Sequence, residues 1–303
     1  MRIVKKQREF KHETSCFKDW KFDSESVLEK CLEHDFTFWK AARFCKDPDE
    51  LTRVKKIIKE NFKEIKEIYH YLISKSSYPA IGWQDFTNWC FQIKVVPDDK
   101  VPLATIDRAF VAANVELEKI PGNVNPDNAL NRYEFVEIIV RLAKAKYIDT
   151  GNTKSYSEAL KKLIQNHILK HDSSDPWQMF REKKLWTVPV NDLMEPNVPA
   201  LKKLYESYFE PRKKSMSIDD TISLFMKDTG LLAQEKDVVY CFGMSKMTCV
   251  IETKESDKKY QFLMFSEFLE MVGRVAHYKF CHDEEMKNIP LPGKIEVILD
   301  EIL

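Results

Sequence analysis

The chain has 303 residues, 44% of them hydrophobic and 12% aromatic, enough for about two domains with well-packed cores. Its 48 basic and 48 acidic residues cancel to a formal net charge of zero, which argues against a globally positive nucleic-acid binder. Seven glycines fall well below the usual share of roughly 7%, which disfavours Rossmann and β-sandwich folds and fits helices.

In chain order, residues 1–24 read as a basic arm. Arg2, Lys5, Lys6, Arg8 and Lys11 suit an acidic surface such as tubulin, with Trp20 and Phe22 as anchors. No apolar h-region follows Met1, so no secretory signal is expected. No apolar run approaches the roughly 18 residues of a membrane-spanning helix, so the expectation is a cytoplasmic protein without membrane or nucleic-acid partners. Val54, Ile57, Ile58, Phe62, Ile65, Ile68, Tyr69 and Leu72 trace a long amphipathic helix. Phe135, Ile138, Ile139, Leu142 and Ala143 lie on one face of another. Tyr156–Ile168 predicts a trailing helix, and the Pro and Ser-rich stretches 173–176 and 187–190 place a domain boundary near residue 172. The predicted domains are therefore the arm 1–24, a lobe over 25–172 and a second lobe over 173–303. Thr248–Glu252 carries the longest period-two pattern. Near the C-terminus, Ile295, Ile298, Leu299, Ile302 and Leu303 form one helical face.

The second lobe echoes the first. Glu134, Phe135, Glu137, Arg141 and Lys146 recur as Glu267, Phe268, Glu270, Arg274 and Lys279, at a constant spacing of 133 residues. Upstream, Ile65, Ile68, Tyr69 and Leu72 match Leu201, Leu204, Tyr205 and Tyr208 at a spacing of 136, and Ile106 and Phe110 match Val238 and Phe242 at 132. Downstream, Leu160, Leu163 and Ile164 match Ile295, Ile298 and Leu299. Each repeat reads as helix, loop, helix, linker, helix, loop, helix, with an extra helix at its end.

This pattern resembles paired EF-hands. In that family a 12-residue loop ends in a carboxylate, with an apolar residue at position 8 and an aromatic residue opening the exiting helix. Asp85-Phe86, Glu134-Phe135 and Glu267-Phe268 occupy that junction, and Ile81, Leu130 and Leu263 occupy position 8; the fourth unit, around Met216 and Asp220, is looser. The stretch from Ile106 to Tyr147 is similar to a divergent EF-hand group of ciliary and cytoskeletal proteins of protists. The resemblance implies an all-α fold of two tandem EF-hand-like lobes with extra connecting and terminal helices. It also implies a structural or adaptor role in the ciliary axoneme, associated with doublet microtubules. Partners would be other axonemal or cytoskeletal proteins, tubulin among them.

Calcium needs several hard oxygen ligands and a glycine at the sharp turn. The loop 74–85 offers Ser, Ser and Tyr at positions 1, 3 and 5, residues 212–214 are three successive cations, and the loop before Glu267 carries Lys258 and Tyr260. Only Asn123, Asn125, Asp127 and Glu134 form a weak calcium candidate, with two charged ligands and Asn128 in place of the glycine. No metal or other cofactor is therefore expected, and Glu134 and Glu267 are expected to cap their own helices. Arg141 and Arg274 each lie four residues after a glutamate, at ion-pair spacing. The seven cysteines include no CxxC pair and read as reduced, buried thiols; His277, Cys281 and His282 lack a second ligand pair. No GxSxG, Walker A, GxGxxG, HExxH or kinase signature occurs, so no enzyme is expected. The apolar faces of Tyr156–Ile168 and of Ile295, Ile298, Leu299 and Ile302 are candidates either to bind a partner helix or to fill the lobes' own grooves. The competing functional reading is a calcium sensor or regulatory subunit switching through the loop 123–134.

Overall fold

The computed structural model describes residues 8–96, 100–115, 128–209, 214–252 and 259–303. These are predominantly helical and fall into two compact units. One comprises 23–175 together with 248–257, here the first-half unit. The other comprises 1–22, 176–247 and 258–303, here the second-half unit. No described helix is long and apolar enough to cross a membrane.

The first-half unit opens with α1 (Glu25–Phe38), whose N-cap Ser24 Oγ accepts the Val27 N–H at 3.3 Å. Helix α2 (Pro48–Glu60) starts where Asp47 caps and Pro48 sets φ at N1, and α3 (Phe62–Lys75) follows after Asn61. Strand β1 (Ile81–Gly82) leads into α4 (Trp83–Gln92), and after α5 (Leu103–Asn114) strand β2 (Ala129–Leu130) leads into α6 (Arg132–Ala143). The strands pair antiparallel, Ile81 opposite Leu130 and Gly82 opposite Ala129. Helix α7 (Tyr156–Leu163) continues through a π-helical turn at Ile164–Ile168 to His171. It packs on α2 and α6, burying Leu160, Leu163, Ile164 and Ile168. Phe86, Trp89, Phe110 and Phe135 form the aromatic centre of the core.

The second-half unit repeats the plan. Short helices α8 (Trp177–Phe180) and α9 (Val188–Met194) precede α10 (Val198–Ser207). Strand β3 (Met216–Ser217) enters α11 (Ile218–Ile222), and after α12 (Glu235–Ser245) strand β4 (Phe262–Leu263) enters α13 (Phe265–Phe280). Met216 faces Leu263 across the ribbon. Helix α14 (Leu291–Ile302) packs on α13 and α9. Gly273 on α13 lets the helical turn Arg181–Leu185 come close: a Cβ there would lie 2.5 Å from Leu185 Cδ1.

Three segments depart from the sequence reading. The one long helix expected through residues 54–72 breaks at Asn61, whose backbone is non-helical and whose Nδ2 donates to the Ile57 carbonyl at 2.8 Å, giving α2 and α3. The structure groups the described residues 8–22 with 176–247 in place of a separate arm. Phe17 and Trp20 are fully buried, and Asn191 Oδ1 accepts the Cys16 N–H at 2.9 Å; aromatic side chains of that size are costly to leave in water. Residues 248–252 form no strand. Their backbone partners are side chains of the first-half unit. Arg132 donates to the carbonyls of Cys249 (2.6 Å) and Val250 (3.0 Å), and His34 Nε2 accepts the Glu252 N–H at 3.1 Å.

Candidate functional site

Each two-stranded ribbon places a carboxylate in the first turn of the helix that follows each strand: Asp85, Glu134, Asp220 and Glu267. All four are held by the protein's own donors. Asp85 Oδ2 accepts from Ser76 Oγ at 2.7 Å, and that hydroxyl accepts the Gly82 N–H at 2.8 Å. Asp220 Oδ2 accepts the Ser217 N–H at 2.8 Å while Ser217 Oγ accepts the Asp220 N–H at 3.2 Å, a capping box. Glu134 forms the same box with Asn131: its Oε2 accepts the Asn131 N–H at 3.1 Å, and Asn131 Oδ1 accepts the Glu134 N–H at 3.2 Å. Glu267 Oε2 accepts the Met264 N–H at 2.7 Å, and its Oε1 accepts the Met247 N–H at 2.7 Å. Aiming a carboxylate at free N–H groups of a first turn stabilises the helix without any ion.

The two glutamates differ in how their charge is met. The last residue of α5, Asn114, donates through Nδ2 to the Ala129 carbonyl at 2.9 Å and reaches Glu134 Oε2 at 3.4 Å. The repeat-equivalent residue is Lys246, at the spacing of 132 that already relates Ile106 to Val238. Its Nζ donates to the Phe262 carbonyl at 2.5 Å and to Glu267 Oε2 at 2.6 Å. Phe262 and Glu267 are the equivalents of Ala129 and Glu134. One position therefore ties strand to helix in both units, by an amide in one and by an ammonium in the other. Lys246 and Glu267 are both almost wholly buried, so the second-half unit carries a resident cation against the carboxylate that heads α13. In the first-half unit no full charge among the described residues hydrogen-bonds Glu134. Its Oε1 is buried without a hydrogen-bond partner among the described residues, and burial pushes its carboxyl up to about 8. The Asn131 N–H, the Lys40 ammonium and the Asn114 amide offset part of that rise.

A second pair of repeat-equivalent glutamates lies one turn on. Glu137 accepts the Lys40 N–H at 2.7 Å and the Arg141 Nε–H at 2.9 Å. Glu270 accepts from Arg181 Nε and from Arg274 Nε, both at 2.7 Å. The sequence predicts i,i+4 pairs here, but both carboxylates are 0% exposed, so these pairs sit in the cores. Arg141 lies over the Phe44 ring and Arg274 over the Phe180 ring, each at 4.4 Å. Arg181 is held between Trp20 and Trp177 at 3.9 Å from each ring. Arg132 pairs bidentately with buried Asp35, at 2.8 and 2.9 Å, and reaches Glu252 at 3.4 Å. These groups anchor segments of a unit to one another.

Asn123, Asn125 and Asp127 lie outside the described residues, as do Arg2, Lys5 and Lys6. Arg8 and Lys11 are exposed, and Arg8 pairs with Asp192. Ile295, Ile298, Leu299 and Ile302 are buried within the second-half unit, where α14 meets α13 and α9. Both trailing helices thus bury their apolar faces within their own unit. Among the described residues no group of three or more His, Cys, Asp or Glu side chains could hold a metal ion. Sequence reasoning missed Lys246, Arg132, Arg181 and Asp35. Only Lys246 had a usable signal, its alignment with Asn114 at the spacing of 132 that relates Ile106 to Val238. Comparison of the chain with protein-family models, curated proteins and solved structures gives no match.

Proposed function

We propose that the chain is a calcium-independent structural adaptor built on two EF-hand-like lobes, with no enzymatic activity. The observation that carries this reading is the Lys246 ammonium, set on the carboxylate that heads α13 and on the strand carbonyl before it. A fixed cation at that point removes the need for an exchangeable one. Two further observations support the lobe reading. The expected position-8 residues Ile81 and Leu130 stand opposite each other in one ribbon, and Leu263 stands opposite Met216 in the other. In addition, α7 and α14 are already packed into their units through their apolar faces, which leaves those faces unavailable to a partner helix.

The placement of the adaptor in the ciliary axoneme, on doublet microtubules, rests on the resemblance of the Ile106–Tyr147 stretch alone. A tagged chain in a ciliated cell tests it. Signal along the axoneme that resists salt extraction is the expected result, and signal confined to the cell body overturns it. The adaptor reading is tested separately with a fluorescent probe of apolar surface, whose emission should be the same in calcium and in chelator.

A further inference from the structure

The two trailing helices are repeat-equivalent and bury equivalent faces, yet their outer faces carry opposite charge. In the first-half unit, Lys161 and Lys170 are exposed and Lys162 is partly so, against the single carboxylate of Glu158. In the second-half unit, Glu296, Asp300 and Glu301 are exposed on α14, whose one lysine, Lys294, is buried and donates to the Lys287 carbonyl at 3.0 Å. The spacing of 135 that superposes Leu160 on Ile295 puts Lys161 on Glu296, Gln165 on Asp300 and Asn166 on Glu301. Each face also exposes apolar side chains: Leu169 at 52% on the basic helix, Val297 at 38% and Leu303 at 53% on the acidic one. Burial needs none of these charges. An outer helix face free of packing constraints ordinarily mixes both signs.

We propose that these faces are the two halves of one contact between copies of this chain, the acidic α14 of one copy docking on the basic 161–170 helix face of the next. The charges complement each other across the contact, while two copies of either face repel. Because the two halves are different surfaces, the contact is heterologous, and it extends into a chain or closes into a ring rather than stopping at a two-fold dimer. Leu169, Val297 and Leu303 supply the apolar centre within the charged rim.

Sedimentation velocity of the full chain over a concentration series tests this. At about 20 mM salt the weight-average mass should rise with concentration. At about 500 mM salt, where screening is shorter-ranged than a side chain, the apparent dissociation constant should weaken at least about tenfold. K161E/K170E and E296K/E301K alter only exposed positions, and each alone should stay monomeric. Mixing the two at equal concentration should restore association, because the untouched acidic face of the first meets the untouched basic face of the second. A wild-type chain that stays monomeric at low salt up to about 100 µM, far above the dissociation constants of specific contacts, overturns the proposal. So does either charge variant that associates as the wild type does.

Discussion

Replacing Lys246 with Met is the sharpest perturbation of the second-half unit. Methionine keeps an unbranched apolar stem as far as Cε and removes the ammonium. The 2.6 Å ion pair with Glu267 is then lost, as is the 2.5 Å hydrogen bond to the Phe262 carbonyl. At an effective dielectric of about 20, two unit charges at that separation attract by about 6 kcal/mol, of which desolvation offsets a large part. Stripping one partner from a buried pair leaves the other stranded, and the measured cost of doing so is about 3–5 kcal/mol. For a unit of this size each kcal/mol lowers Tm by about 2–4 °C, so K246M should melt roughly 6–20 °C below the wild type. Chemical denaturation followed by circular dichroism gives the free energy directly. The double variant K246M/E267Q removes the stranded charge as well and should recover at least about 1–2 kcal/mol of the loss, a coupling that marks a true pair. A K246M protein within about 1 kcal/mol of the wild type would refute the idea that a resident cation stabilises this site.

Three other perturbations probe the remaining features. The Glu134 carboxyl is raised from 4.5 to about 8 by burial, so the folded state holds its proton more tightly and native stability falls as pH rises from about 4.5 through 8; Glu134→Gln should remove that slope and gain about 1–3 kcal/mol on the wild type between pH 5 and 9, read by denaturation at each pH. Glu50 behaves in the opposite sense. Its burial would raise it, but hydrogen bonds from the Ser157 N–H, Arg53, Ser155 and Ser157 outweigh that and hold it at about 2, so its contribution is present above about 4.5 and is lost as pH falls towards 2. Glu50→Gln should therefore loosen the start of α7 and cost about 1–2 kcal/mol at neutral pH, a value discounted for its partial exposure, with the deficit vanishing in acid. Gly273→Val installs the side chain that the first-half unit carries at Val140 and drives it into Leu185, so it should destabilise by about 1–3 kcal/mol, measured as a Tm loss.

Much of the helical plan was legible because it rests on periodicity, which local packing obeys. Phe135, Ile138, Ile139 and Leu142 are buried as the periodicity places them, although α6 is buried on every side but at Arg141, and Leu160, Leu163, Ile164 and Ile295, Ile298, Leu299 are buried where the repeat places them. The capping role of Glu134 was likewise legible, since a carboxylate in a first turn has donors within reach whatever the tertiary fold. The rest depends on contacts distant in sequence. Arg132 meets Asp35 across 97 residues and Arg181 meets Glu270 across 89, and no local pattern marks either partner. The stretch 248–252 alternates as a strand does, yet its carbonyls go to Arg132, because a buried guanidinium needs more acceptors than Asp35 alone provides. Trp20 and Phe22 read as the anchors of an arm; in the fold Trp20 packs on Trp177 and Trp186 and Phe22 on Trp186, about 160 residues on.

The central claim is that these lobes hold their shape without calcium. Isothermal calorimetry of the chelator-stripped full chain, titrated with calcium in the presence of magnesium, tests it most directly. The account predicts no heat of binding from micromolar to millimolar calcium. A single site binding in the micromolar range and abolished by Glu134→Gln would contradict it and would make Asn123, Asn125, Asp127 and Glu134 a working cage.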